Sequence, residues 1–214
     1  LLELPSPFFS IDSDILKNIA NAFDKIILLK KSAICNDAEI KKQEQYIFNE
    51  FIKHFSLSDR EVALIEDTMS FGLGLFKAGH NSIGFRRTQL SENIKYAETL
   101  YNDINSLLSS NTKVSATIYD VQSNDPLNLV ILHFGKEVKE IEIKNISELR
   151  KQLQEIDQYT IQKKAHSIYV QKHIKYYNKD TVYLIKPNQK RFWTRTQAME
   201  DASSLIADII NMAK

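Results

Sequence analysis

Cysteine occurs once in this chain, at Cys35, which excludes internal disulfides and cysteine-rich zinc sites and fits a reducing cytoplasm. No apolar run approaches the roughly 20 residues of a membrane span, and no signal peptide opens the chain. There is no glycine-rich Walker loop, no Gly-x-Ser-x-Gly elbow and no His-Glu-x-x-His helix, so the common signatures for nucleotide, acyl and zinc-hydrolase chemistry are missing. The histidines at 54, 80, 133, 166 and 173 lack metal-ligand spacing, and no metal site is expected. Charge of one sign is also lacking overall: the net charge of +1 does not mark a nucleic-acid binder, although a global balance can hide a local patch.

Periodicity supplies the architecture. Ile15, Ile19, Phe23, Ile26 and Ile27 recur at helical spacing, with Asp12 or Ser13 as N-cap. A second helix, about 38 to 55, places Ile40, Ile47, Phe48, Phe51, Ile52 and Phe55 on one side. Ser58-Asp59-Arg60-Glu61 reads as a capping box opening a third helix. Four of the five glycines fall between Gly72 and Gly84, which predicts a flexible connection and a boundary between a helical region, 1–80, and an accessory domain, 88–214. From Thr88 the order reads α-β-β-β-α-β-β-α. The second and third strands are expected to form a hairpin through Gly135-Lys136, and the last two to pair around Asn178-Lys179-Asp180. The fold class is α+β with a mainly antiparallel sheet.

Charge is concentrated late in the chain. From Lys151 to Arg195 there are ten Lys or Arg against Glu155, Asp157 and Asp180, a local balance of +7 interleaved with aromatic side chains. Cations neutralise phosphates, amides read base edges, and flat rings stack. Lys172, Lys175, Lys186, Asn188, Gln189, Lys190, Arg191 and Arg195 are therefore candidate DNA contacts. The same segment also reads structurally, with Pro187 ending a strand and Phe192 and Trp193 anchoring the last helix. Trp193 discriminates: stacked on a base it would be exposed, and as an anchor, near Ile206 and Ile210, it would be buried. Burial is the expectation. One catalytic alternative exists. Asp125, Glu142 and Lys144, in an α-β-β-β-α order, could hold Mg²⁺ and a water for phosphodiester hydrolysis, resembling the PD-(D/E)xK nuclease pattern. Glu-x-Lys alternation is also what an exposed strand face carries, as Lys139-Glu140-Ile141-Glu142-Ile143-Lys144 shows.

Three separated segments share a resemblance. Leu4-Pro5-Ser6-Pro7 with the helix after it resembles the end of a target-recognition domain leading into a spacer helix in restriction–modification specificity regions. Gln45-Tyr46-Ile47-Phe48-Asn49-Glu50-Phe51 followed by Ser56-Leu57-Ser58-Asp59-Arg60-Glu61-Val62-Ala63-Leu64-Ile65-Glu66 looks like a segment near the C-terminus of many N6-adenine DNA methyltransferases. His54-Phe55-Ser56 stands where Tyr-Gly is usual there, so the turn must form without glycine. The stretch Tyr183 to Arg195, with Ala198-Met199-Glu200-Asp201-Ala202, resembles the end of bacterial methylase-type restriction–modification or phage-defence polypeptides. The resemblance implies a non-catalytic C-terminal module that contributes DNA binding or subunit contacts. Its partners would be DNA and a methyltransferase catalytic domain in cis or trans, with no membrane. Asn-Pro-Pro-Tyr, Asp-Pro-Pro-Tyr and a glycine-rich S-adenosylmethionine loop are absent, so that cofactor is expected on the catalytic part and none here. The opening Leu1-Leu2-Glu3 reads as the inside of a longer polypeptide. A nuclease and a pure protein–protein scaffold are the alternatives.

Overall fold

The computed structural model describes residues 12–32, 36–108, 112–120, 125–135, 141–164 and 173–212. It divides into two compact units, Leu1–Val62 and Ala63–Lys214. The cut falls within a helix, and the glycine-bearing segment 72–84 belongs to the second unit rather than lying between the two.

In the first unit α1 (Ser13–Lys31) packs on α2 (Asp37–Phe55). Asp12 caps α1, its carboxylate accepting the Asp14 N–H at 3.0 Å. The apolar stripe differs from expectation. Ile15, Ile19, Ala22, Ile26 and Leu29 turn inward, whereas Phe23 is 57% exposed and Ile27 37%. The small Ala22 lets a neighbouring helix approach where a ring at 23 would hold it off, so the stripe runs one residue to the side. The end of α2 forms without glycine. Ser56 takes φ 49° and ψ 43°, the Leu57 N–H reaches the Ile52 carbonyl at 3.1 Å, and the Ser56 N–H reaches Lys53 at 3.2 Å. Those two bonds are a Schellman closure with serine where glycine is preferred. The capping box follows: Ser58 N–H donates to Glu61 Oε2 at 2.8 Å, and Glu61 N–H to Ser58 Oγ at 3.4 Å.

α3 (Asp59–Asp67) runs through one wide π-type turn (Thr68–Gly72) into the short α4 (Leu73–Ala78), and two 3₁₀ turns lead on. Next come α5 (Leu90–Leu107), β1 (Lys113–Tyr119), β2 (Leu127–Gly135), β3 (Ile141–Lys144), α6 (Ile146–Lys164), β4 (Ile174–Asn178), β5 (Thr181–Pro187), a 3₁₀ turn (Lys190–Phe192) and α7 (Arg195–Met212). The sheet order is β3-β1-β2-β5-β4. The fold is α+β, and the sheet is mixed.

The expected β2–β3 hairpin does not form. β2 is the central strand, with β1 on one side and β5 on the other, from Leu127↔Pro187 to His133↔Thr181. That pairing satisfies seven residues of β2, while the four-residue β3 takes the outer edge of β1 in parallel, Thr117↔Glu142 and Tyr119↔Lys144. The longer apolar partner holds the central position because its side chains bury on both faces. The β4–β5 hairpin forms as expected, with Lys179 at φ 49° in its turn.

Strand alternation sorts side chains to two cores. Val114, Ala116, Ile118, Val130, Leu132, Val182 and Leu184 meet Tyr96, Leu100 and Ile104 of α5 and Ala198, Ala202 and Leu205 of α7. On the opposite face Tyr119, Leu129, Ile131 and Ile185 meet Leu149 and Ile156 of α6. Ile210, expected inward, is 55% exposed. No helix among the described residues is long and apolar enough to cross a membrane.

Candidate functional site

Among the described residues, Lys186 is the most deeply enclosed cation of the basic segment. β5 sends Val182 and Leu184 into the α5/α7 core, and a period of two sends Lys186 after them. The side chain is 1% exposed, and its Nζ forms an ion pair with the Asp201 carboxylate of α7, itself 6% exposed. Nζ also donates to the Phe192 carbonyl at 3.2 Å. It lies 4.8 Å from the centre of the Tyr96 ring and 5.8 Å from that of Trp193. The Tyr96 hydroxyl donates to the same Asp201 oxygen. Trp193 is buried, as expected for a helix anchor, with its ring edge-on to Tyr96 at 5.0 Å. Its indole N–H donates to the Pro187 carbonyl at 2.8 Å. The ammonium is therefore enclosed by a carboxylate, a carbonyl and two ring faces. Burial pulls the Lys186 pKa below its ordinary value, against the opposing attraction of Asp201. Burial first, then the Asp201 charge, pushes the Tyr96 hydroxyl well up, so it stays a donor.

The rest of the segment is held in similar ways. Asn188 is 3% exposed; its Oδ1 accepts from Thr88 Oγ1 at 2.6 Å and its Nδ2 donates to the Asp125 carbonyl at 3.3 Å. It pins the lead into α5 to the ends of β2 and β5. Lys190 forms an ion pair with Glu92, and Arg195 with Glu66. The Thr196 N–H donates to Asp67 Oδ2 at 2.8 Å, a carboxylate at the start of α7 where the helix dipole favours it. The Arg191 guanidinium lies 4.3 Å from the Phe85 ring centre and 4.6 Å from that of Phe192, and its Nε donates to Gln189 at 3.0 Å. Lys175 pairs with Asp208 at 2.8 Å, and Tyr177 donates to the same carboxylate. Lys172 lies outside the described residues. Lys186 and Asn188 are thus interior groups of the unit, 1% and 3% exposed.

The nuclease trio is divided between two ion pairs. Asp125, ahead of β2, pairs with Arg150 of α6 at 3.2 Å. Glu142 and Lys144 pair with each other at 3.4 Å on the edge strand β3, and Thr117 Oγ1 donates to Glu142 at 3.3 Å. Among the described residues no group of three His, Cys, Asp or Glu side chains is placed to hold a metal.

A feature the sequence did not suggest lies on the α6 face. A cleft of about 290 Å³ is lined by Tyr119, Ile131, His133, Tyr183, Lys144 and Lys151. Burial, then Lys144, lowers the His133 pKa, with Glu142 opposing. Burial pushes the Tyr119 hydroxyl up to about 12. The lowering favours the neutral imidazole, which lies between two threonine hydroxyls, 3.3 Å from that of Thr117 and 3.5 Å from that of Thr181. With Glu148 also on the lining, the two lysines bring no strong excess of charge. The β2 alternation placing Ile131 and His133 on one face is the only sequence signal for this grouping.

No family model, curated protein or solved structure matches this chain.

Proposed function

We propose that this chain is a non-catalytic C-terminal module of a restriction–modification type N6-adenine DNA methyltransferase, acting through subunit or domain contacts in the cytoplasm rather than by reading DNA. The methyltransferase assignment rests on the resemblance of residues 45–66 and 183–202. The choice of protein contact over DNA contact rests on one observation: the cations of residues 186–195 are engaged inside their own unit, Lys186 with Asp201, Lys190 with Glu92 and Arg195 with Glu66. A lysine already neutralised by a carboxylate gains little from a phosphate, since a favourable contact must first break the existing pair. S-adenosylmethionine would belong to the catalytic partner, in cis or in trans.

The test is a methylation map. Deleting the coding sequence for residues 1–214 from the native genome should abolish N6-methyladenine at one sequence motif, read by single-molecule sequencing. A methylome unchanged at every motif overturns the assignment.

A further inference from the structure

Between Asp67 and Glu92 the chain contains no carboxylate, yet it carries Lys77, His80, Arg86 and Arg87. The acids just before this stretch are already engaged, Glu66 by Arg195 and Asp67 by the Thr196 N–H. Over the same stretch the π-type turn and α4 leave apolar side chains in solvent. Met69 is 62% exposed, Leu73 40% and Phe76 89%, at i, i+4 and i+7 spacing, with Ile83 43% exposed in the next turn. The inward side is occupied separately: Phe71 and Leu75 are half-buried, and Leu75 lies where a side chain on Gly84 would meet it at 3.6 Å. Phe76 is therefore an outward residue in its own right. Scattered exposed apolar residues are ordinary, but several aligned on one helical stretch with a single-sign rim mark a contact surface.

We infer that this surface, Met69, Leu73, Phe76 and Ile83 rimmed by Lys77, His80 and Arg86, docks an acidic amphipathic helix of a partner protein. The stripe supplies the apolar seam that such a helix buries, and the rim pairs with carboxylates flanking it. Gly72, exposed on the π-type turn, has only Thr68 near the place a Cβ would occupy, so a second backbone can approach there. A second copy of this chain fits poorly, because a two-fold contact would set Lys77 and Arg86 against cations of the same rim. A nucleic-acid backbone would give the four apolar side chains nothing to bury against. A lipid surface would find too few apolar side chains here, as stable anchoring needs a stronger or second signal. This inference deepens the proposed module role by naming its contact face and the chemistry of the partner.

The experiment places p-benzoyl-phenylalanine at Phe76 in the full native polypeptide and irradiates living cells. The expected product is a protein adduct whose cross-linked peptide, identified by mass spectrometry, is an apolar-periodic helix rich in Asp and Glu. Combining Lys77→Glu with Arg86→Glu should lower its yield about tenfold, and reversing the partner's carboxylates should restore it. The same probe at Leu107, 66% exposed but away from the stripe, should not give that adduct. Met69→Asp and Phe76→Asp should keep the thermal midpoint, which separates lost docking from lost folding. Four results overturn the inference: no protein adduct, an adduct with a second copy, equal yield from Leu107, or flotation with phosphatidylcholine vesicles containing about 30% phosphatidylglycerol. A partner without methyltransferase motifs would leave the docking face standing and remove the proposed function. A changed methylome without any adduct would do the reverse.

Discussion

Removing the ammonium of Lys186 strands a carboxylate in the α5/α7 core. Asp201 keeps the Tyr96 hydroxyl as a donor, in a site where the lysine is 1% and the aspartate 6% exposed. Breaking a buried pair from one side costs about 3–5 kcal/mol, against about 0–1 for an exposed pair. Lys186→Met and Asp201→Asn are each expected to lose about 3–5 kcal/mol, a large part of a domain's usual 5–15 or so. The double variant leaves no unpaired charge and should lose only about 1–3 kcal/mol, the cost of imperfectly satisfied polar groups. The coupling is then several kcal/mol, far above that of a surface pair. Urea unfolding followed by fluorescence reads this directly, because Trp193 is the only tryptophan and its ring is 5.0 Å from Tyr96 in the same core. A single-variant loss below about 1 kcal/mol would instead place Lys186 in solvent and free it for a ligand.

Further outcomes follow from local geometry. Ser56→Gly should stabilise the α2 end by about 1 kcal/mol, read by chemical denaturation, because φ 49° strains any side chain and glycine carries none. His133 should titrate below the ordinary imidazole range by NMR, with Lys144→Met raising its pKa and Glu142→Gln lowering it further. Being depressed in the folded state, it contributes stability that is present above about pH 6.5 and lost as pH falls through the folded value. Tyr119 should ionise near pH 12 by absorbance; raised in the folded state, it contributes stability that is complete below pH 10 and lost as pH climbs through about 12.

What could be read from the residues alone follows the strength of local rules. The Ser58–Glu61 box and the β4–β5 hairpin were legible because cap and turn chemistry act within four residues. The place of β3 was not, because short-range turn signals between 135 and 141 carry no information on which strand edge is free. That edge is decided by the seven-residue match of β2 with β5. Lys186 is the instructive case. Its charge suggested a surface contact, but the alternation Val182, Leu184, Lys186 already pointed it inward, and only Asp201 on a distant helix makes that position tolerable. The Lys190–Glu92 and Arg195–Glu66 pairs were equally hidden, since their partners lie far away in sequence. The cleft beside His133 draws on β1, β2, β3, α6 and β5 at once, which no window of sequence displays.

Duplex binding as a function of salt decides whether the cations of residues 186–195 hold the fold or a phosphate backbone. Fluorescence anisotropy with a labelled duplex would compare the parent chain with the Lys190→Ala, Arg191→Ala, Arg195→Ala triple variant. The parent should show at most weak non-specific affinity, of order 10⁻⁴ to 10⁻⁶ M at physiological salt, with a salt slope the triple variant leaves unchanged while its thermal midpoint falls. Tight parent binding whose slope drops by roughly 0.9 for each removed cation would contradict it and make the segment a DNA interface.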